Sequence, residues 1–170
     1  FIHSGDFKID PTPVDNQYTA LDRFADYGKR GVLAFLSDST NAEKEGFTLS
    51  ERDVRNTLEG IFTACRGRII VAVFASNITR IQQVVDLAVA TGRKVVFNGK
   101  SMITNVAIAK EEGYIRIPED AQIHERQIDQ YDAPGVAIIT TGSQGEPMSA
   151  LTRIARGNHK ALKIRKGDTV

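Results

Sequence analysis

The stretch VAIITTGSQGEPMSAL, positions 136–151, carries the residue types of a ligand-binding turn. Gly142 and Gly145 bracket Ser143 and Gln144, and Glu146 follows, between an apolar run and a helical pattern. Glycines let a ligand approach the main chain. The free N–H groups at a helix N-terminus attract phosphates and the polar edges of nucleotides. Three other turns share this character: Ser37, Asp38, Ser39, Thr40 and Asn41; Ala75, Ser76 and Asn77; and Asn98, Gly99, Lys100 and Ser101. Taken singly, Ser76, Asn77 and Ser101 read as ordinary helix N-caps. Four such turns together point to a shared ligand edge, because a purely structural turn needs only one capping residue.

Two familiar patterns fail. NGKS ends like a phosphate-binding P-loop, but the first glycine of that pattern falls on Lys94. TGSQG is not the dinucleotide fingerprint, since Gly142 and Gly145 have no third glycine in step. No cysteine pair and no HExxH is present, so the sequence holds no self-contained metal motif. His3, His124 and His159 are scattered and read as surface or hydrogen-bonding residues. In SGDFKID, Gly5 and Asp6 separate two β-type runs, and the pair is compatible with a simple turn.

The elements that must hold these turns alternate. Apolar runs at 32–36, 69–74, 95–97 and 136–140 are nearly continuous, as strands covered on both faces should be. Helical stripes lie between them: Leu21, Phe24 and Ala25; Val54, Leu58, Ile61, Phe62 and Cys65; Ile78, Ile81, Val85 and Ala88; Met102, Val106 and Ala109; Met148, Leu151 and Ala155. Glycines 67, 92, 113 and 157 stop the last four, and Ser50 with Asp53 has the form of a loose capping box. Strand and helix in alternation predict an α/β fold, doubly wound, with a mainly parallel sheet flanked by helices on both faces. In such a sheet the four turns share the carboxyl edge, where ligands bind. Residues 114–135 read as a short edge piece plus loops. PTP at 11–13 reads as a linker into the alternating region.

Bulk composition narrows the class. At 170 residues and 41% hydrophobic, the chain can bury one real core. No apolar run approaches a membrane span, and no signal segment is present. The single cysteine, Cys65, excludes an internal disulfide, fits a reducing cytosol and reads as core. Net charge is +1, which argues neither for nor against nucleic acid; the basic run from Arg153 to Lys166 reads as a solvated face. Phe1 and the closing KGDTV have the look of a piece of a longer protein.

Four strings, HSGDFKIDPTPVD, LSDSTNAEKEGFT, FASNITRIQQ and TTGSQGEPMSAL, resemble bacterial ribonuclease J, a family of metallo-β-lactamase-fold nucleases with a β-CASP insertion. The resemblance covers the chain from residue 2 onward. It implies that residues 1–15 are the end of a metallo-β-lactamase segment with its linker, and that 16–170 form the β-CASP domain. It implies that Asp6 is the carboxylate bridging two zinc ions and that Asp38 is an acidic catalytic residue beside them, orienting a metal-ligating histidine. It implies that Ser39, Thr40, Asn41, Ser76, Asn77, Arg80, Gly142, Ser143, Gln144 and Gly145 face a cleft for single-stranded RNA. The implied activity is 5′-to-3′ exonuclease and endonuclease cleavage in RNA maturation and decay. The implied setting is a cytoplasmic homodimer or homotetramer with no membrane contact.

The family's HxHxDH motif and its further metal histidines are missing from this sequence, and three histidines cannot replace them. The chain by itself is therefore expected to be an RNA-binding wall that neither holds two zincs nor cuts RNA. An alternative is a doubly wound nucleotide-binding domain of a small-molecule enzyme.

Overall fold

The four apolar runs do not all enter one sheet. In the computed structural model, which describes all 170 residues, the chain divides into two compact units, Phe1–Val54 and Arg55–Val170. The first run contributes only a short strand to the first unit. There β1 (Ile2–His3) precedes α1 (Leu21–Arg30), and β2 (Phe35–Leu36) pairs in parallel with β1, Ile2 opposite Phe35 and His3 opposite Leu36. The expectation of a single four-stranded sheet therefore fails. Phe35 and Leu36 are both exposed, so β2 lacks the two-sided cover its apolar run suggested. An apolar run specifies a strand without naming its partner.

The first unit also contains the start of α2 (Glu51–Ala64). Ser50 Oγ accepts from the Arg52 amide at 3.2 Å, and Thr12 Oγ1 lies 2.6 Å from Ser50 Oγ. Asp10 Oδ2 accepts from the Glu51 amide at 2.7 Å, and Lys8 Nζ reaches Glu51 at 3.0 Å. With Pro13 buried, the 10–13 stretch packs against the head of α2 and is not a loose connection.

In the second unit the other three runs become β3 (Ile69–Ala72), β4 (Lys94–Asn98) and β5 (Val136–Thr140), all parallel in the order β3-β5-β4. The most uniformly apolar run takes the centre, and every residue of β5 is buried. Side chains alternate between two cores, as a strand's period of two requires. Ile69, Val95, Phe97, Ala137 and Ile139 pack with Phe62 of α2, with Ile81 and Val85 of α3 (Ile78–Ala90), and with Met102 and Val106 of α4 (Lys100–Glu111). Ile70, Val96, Val136 and Ile138 pack with Ile128, Leu162 and Ile154 of α5 (Ala150–Ala155). The sheet is thus flanked on both faces, as expected.

Three details differ from the periodic pattern. The last helix starts after Met148, which is 84% exposed in the preceding turn; Ser149 caps α5 by accepting from the Thr152 amide, and Ala150 and Ile154 supply its buried face. In α2, Ile61 is exposed, while Leu58, and Cys65 just past the helix, pack at the edge of the core that buries Phe62. Residues 114–135 supply an edge piece without a full strand. Val95 N–H donates to Ala121 O at 2.7 Å, and Ile123 N–H to Val95 O at 3.0 Å, before 3-10 turns at Glu125–Gln130 and Ala133–Gly135. Thr169 covers the opposite sheet edge, accepting from Ile70 N–H at 2.8 Å and donating to Arg68 O at 2.9 Å. No helix is long and apolar enough to cross a membrane.

Candidate functional site

Three of the four polar turns lie at the carboxyl edge of the three-stranded sheet, because β3, β4 and β5 run parallel and each turn follows its strand. Two of them meet in a groove of about 630 Å³ between the heads of α4 and α5. Gly99, Lys100, Ser101, Thr104 and Asn105 line one wall; Thr141, Gly142, Glu146, Ser149 and Arg153 line the other. Asn105 Nδ2 donates to Ala75 O at 3.0 Å, which ties this groove to the β3 turn.

The glycines of TGSQG have separate reasons. Gly142 adopts φ 115°, and a Cβ there would run into the Ser149 side chain and approach Leu151 Cβ at 3.0 Å. Gly145 adopts φ 73° with open space where a Cβ would stand, so backbone conformation alone favours glycine. Its N–H closes the turn on Gly142 O at 3.1 Å, leaving Ser143 and Gln144 exposed at the tip. Helical capping uses part of the expected ligand set. Asn77 Oδ1 accepts from the Arg80 amide at 3.0 Å, so Asn77 is the N-cap of α3, with half-buried Arg80 in the first turn and Ser76 exposed before them. Ser101 is no cap: Gly99 holds that position in α4, without a side-chain bond.

The remaining turn belongs to the first unit. Parallel pairing of β1 with β2 brings their carboxyl ends side by side, so Ser4, Gly5 and Asp6 adjoin Ser37 and Asp38. Ser4 N–H donates to Leu36 O, and Asp38 N–H to Ser4 Oγ, both at 3.0 Å. Asp38 Oδ1 accepts from the Thr40 hydroxyl at 2.7 Å and the Thr40 amide at 3.0 Å. Those bonds, with backbone N–H groups at Phe7 and Ser39, hold the Asp38 carboxyl below its ordinary range against the opposing effect of burial. Ser39 and Asn41 continue the turn, with Ala42 N–H on Ser39 O and Lys44 N–H on Asn41 O, both 3.0 Å. A cleft of about 310 Å³ opens here, with Phe7 and Phe47 among its walls.

Asp6 is exposed at this turn and offers one carboxylate to a metal. His3 Nδ1 is already engaged by the Gly5 amide at 3.0 Å, and no three His, Cys, Asp or Glu side chains converge to hold an ion. A zinc ion takes about four ligands, so these residues do not form a two-zinc site by themselves.

Sequence reasoning missed Thr104, Asn105 and Arg153 as groove residues. Helical spacing carries a signal for the first two, since 101, 104 and 105 share one face of α4. Arg153 falls in the basic run whose pattern points to a solvated face, and the pattern carries no sign of the groove.

A family model described as "Ribonuclease J, beta-CASP domain" matches residues 66–170. Ribonuclease J of Synechocystis sp. is 45% identical over 169 residues, 99% of this chain and 26% of that protein. Ribonuclease J2 of Bacillus subtilis is 46% identical over 167 residues, 98% of this chain and 30% of that protein. Ribonuclease J of Helicobacter pylori strain J99 is 45% identical over 169 residues, 99% and 24%. The chain thus spans between 24% and 30% of the length of these relatives. With three polar turns on one sheet edge and this likeness across its whole length, the chain belongs to the ribonuclease J family and carries its β-CASP domain.

Proposed function

We propose that this chain is the RNA-binding wall of a zinc-dependent ribonuclease that degrades and matures RNA as a 5′-to-3′ exonuclease and endonuclease in the cytoplasm. Residues 1–15 are the end of a metallo-β-lactamase segment, and 16–170 are the β-CASP domain. The supporting observation is the groove of about 630 Å³ between two polar strand tips, in a chain of the ribonuclease J family. Exposed Ser143 and Gln144, the backbone of Gly142 and Gly145, and the edge residues Ser76 and Arg80 contact phosphate and ribose of a single strand, while Asn77 caps the helix that carries Arg80. Such contacts position the chain without reading its bases.

Two zinc ions supply an activated water and neutralise phosphate charge when bound. Asp6 is the ligand contributed by this chain; the others come from the remainder of the metallo-β-lactamase domain. Asp38, whose carboxylate is oriented by Thr40, holds a ligating histidine in place, and Ser39, Thr40 and Asn41 face the substrate. The parent assembles as a homodimer or homotetramer.

Titration of this chain with 5′-phosphorylated single-stranded RNA at several salt concentrations tests the binding reading. Affinity is expected to fall with salt by a log–log slope of roughly −0.7 per phosphate contacted. Absent binding, or salt-independent capture of a free mononucleotide, would overturn it. In the full-length parent, Asp38→Ala is expected to cost about a hundredfold in turnover with little change in RNA affinity, the loss typical of a partner that orients a ligand. An unchanged turnover rate removes that role.

A further inference from the structure

We propose that Asn98 is a positioning residue for the groove: it locks the β4 and β5 tips in one register, and with them the surface offered to RNA. The consequence for RNA rests on the proposed function; the effect on the tips does not. Asn98 ends β4 beside Thr140, the last residue of β5, and the two are 2% and 0% exposed. A buried amide is stable only where its oxygen and its nitrogen each find a partner. Asn98 Oδ1 accepts from the Thr140 hydroxyl at 3.4 Å, and Nδ2 donates to Glu125 Oε2 at 2.7 Å. The charged acceptor makes the second bond the stronger one. His159 Nε2 lies 3.2 Å from the same Nδ2, but its Nδ1 accepts from the amides of Ala161 and Leu162 at 3.3 and 3.1 Å. A neutral imidazole carries one proton, which then sits on Nε2, and two donors do not bond each other. Glu125 and Thr140 are therefore the partners that hold Asn98.

The next residue along each strand passes the constraint outward. A Cβ on Gly99 would stand 3.0 Å from Thr141 Oγ1 and 3.4 Å from Ala150 Cβ, so the two tips touch directly above Asn98 and Thr140. Thr141 O accepts from Leu151 N–H at 3.0 Å, which joins that tip to α5. Displacing Asn98 thus displaces both walls of the groove. An apolar residue would fill the site with no call on a carboxylate from the 3-10 turn. The amide adds directional bonds, and these set the spacing of the tips.

Three variants of this chain test the assignment. Asn98→Asp sets a second carboxylate against Glu125, and like charges repel at that separation. Combining Asn98→Asp with Glu125→Gln restores a donor–acceptor pair with its direction reversed. Glu125→Ala, which removes the charged acceptor from a half-buried position, serves if Asn98→Asp does not fold. Hydrogen exchange at residues 99–101 and 141–145, against β3 as internal control, reads the tips; single-stranded RNA affinity reads the consequence. Each single variant is expected to speed tip exchange and weaken RNA binding about tenfold, and the double variant to recover most of both, as coupled neighbours do. A folded single variant with unchanged tip exchange overturns the assignment, as does a folded double variant that recovers nothing. If tip exchange responds as expected while the unaltered chain binds no RNA, the positioning role is supported and the RNA reading falls.

Discussion

The two units treat similar side chains in opposite ways. In residues 55–170, apolar residues from three strands and four helices form two cores on either side of the sheet, and Val84, Val85, Val95 and Ile139 are fully buried. In residues 1–54 the helix α1 has an apolar stripe of its own, yet no residue of it is buried. Leu21 is 49% exposed and Phe24 37% exposed, and Phe24 meets Phe35 with ring centroids 6.1 Å apart. Phe7, Ile9, Leu21, Phe24 and Phe35 line a cleft of about 320 Å³ in this unit. An amphipathic pattern specifies a helix with a face to cover, and it does not supply the cover. The second unit supplies its own.

The largest effect expected on this contrast comes from Asp168. The side chains of Arg68 and Asp168 are each 2% exposed and joined by two bonds, of 2.9 and 2.6 Å, that anchor the 168–170 segment to the residue preceding β3. Asp168→Ala leaves the buried guanidinium without a counter-charge, its Nη2 still donating to Lys163 O at 2.9 Å, a loss of roughly 3 kcal/mol. Thermal unfolding at pH 7 measures it, and a loss under about 1 kcal/mol would show that the pair adds little. Burial raises the Asp168 carboxyl, but the Arg68 hydrogen bonds and charge and the Arg165 amide outweigh it, so the group titrates below its ordinary value. Its contribution is therefore complete above the unfolded value, near 3.9, and fades as pH falls through the lower folded value. Wild-type and Asp168→Ala stabilities should converge only in that acid range.

Core truncation follows closely. Ile139→Ala is expected to cost about 3 kcal/mol, since its site is closed on all sides. Asn77→Ala removes the cap of α3 and is expected to cost about 1 kcal/mol by chemical denaturation. Phe24→Ala in this chain should stay below about 1 kcal/mol, as surface changes do. An equal loss at Phe24 and Ile139 would abolish the contrast between the units. Hydrogen exchange sharpens it: amides of β5 should exchange far more slowly than those of α1, because protection follows burial.

Much of the fold was legible. Three apolar runs became the three parallel strands, β5 with its predicted bounds, and Gly92, Gly113 and Gly157 each take positive φ just past a helix. Where the reading slipped, the cause was non-local. The run at 32–36 looked like the other three, but its partner is β1, thirty-odd residues earlier. Met148 completed a stripe that Ser149 interrupts by capping one residue later. The site was legible as residue types on turns. Which of them remain available was not: Asn77 spends its side chain on a cap, while Thr104 and Arg153 join the groove from helices.

The sequence by itself determined the alternation of strands and helices, the turns at which polar residues collect, and the family to which its strings belong. Those properties follow from local periodicity, local backbone preference and residue identity. Tertiary structure decided which strands pair, which apolar faces find cover, and that Asn98 and Thr140 meet beneath two touching tips. Each of those depends on contacts between residues far apart in the chain, and no local pattern encodes which distant partner arrives.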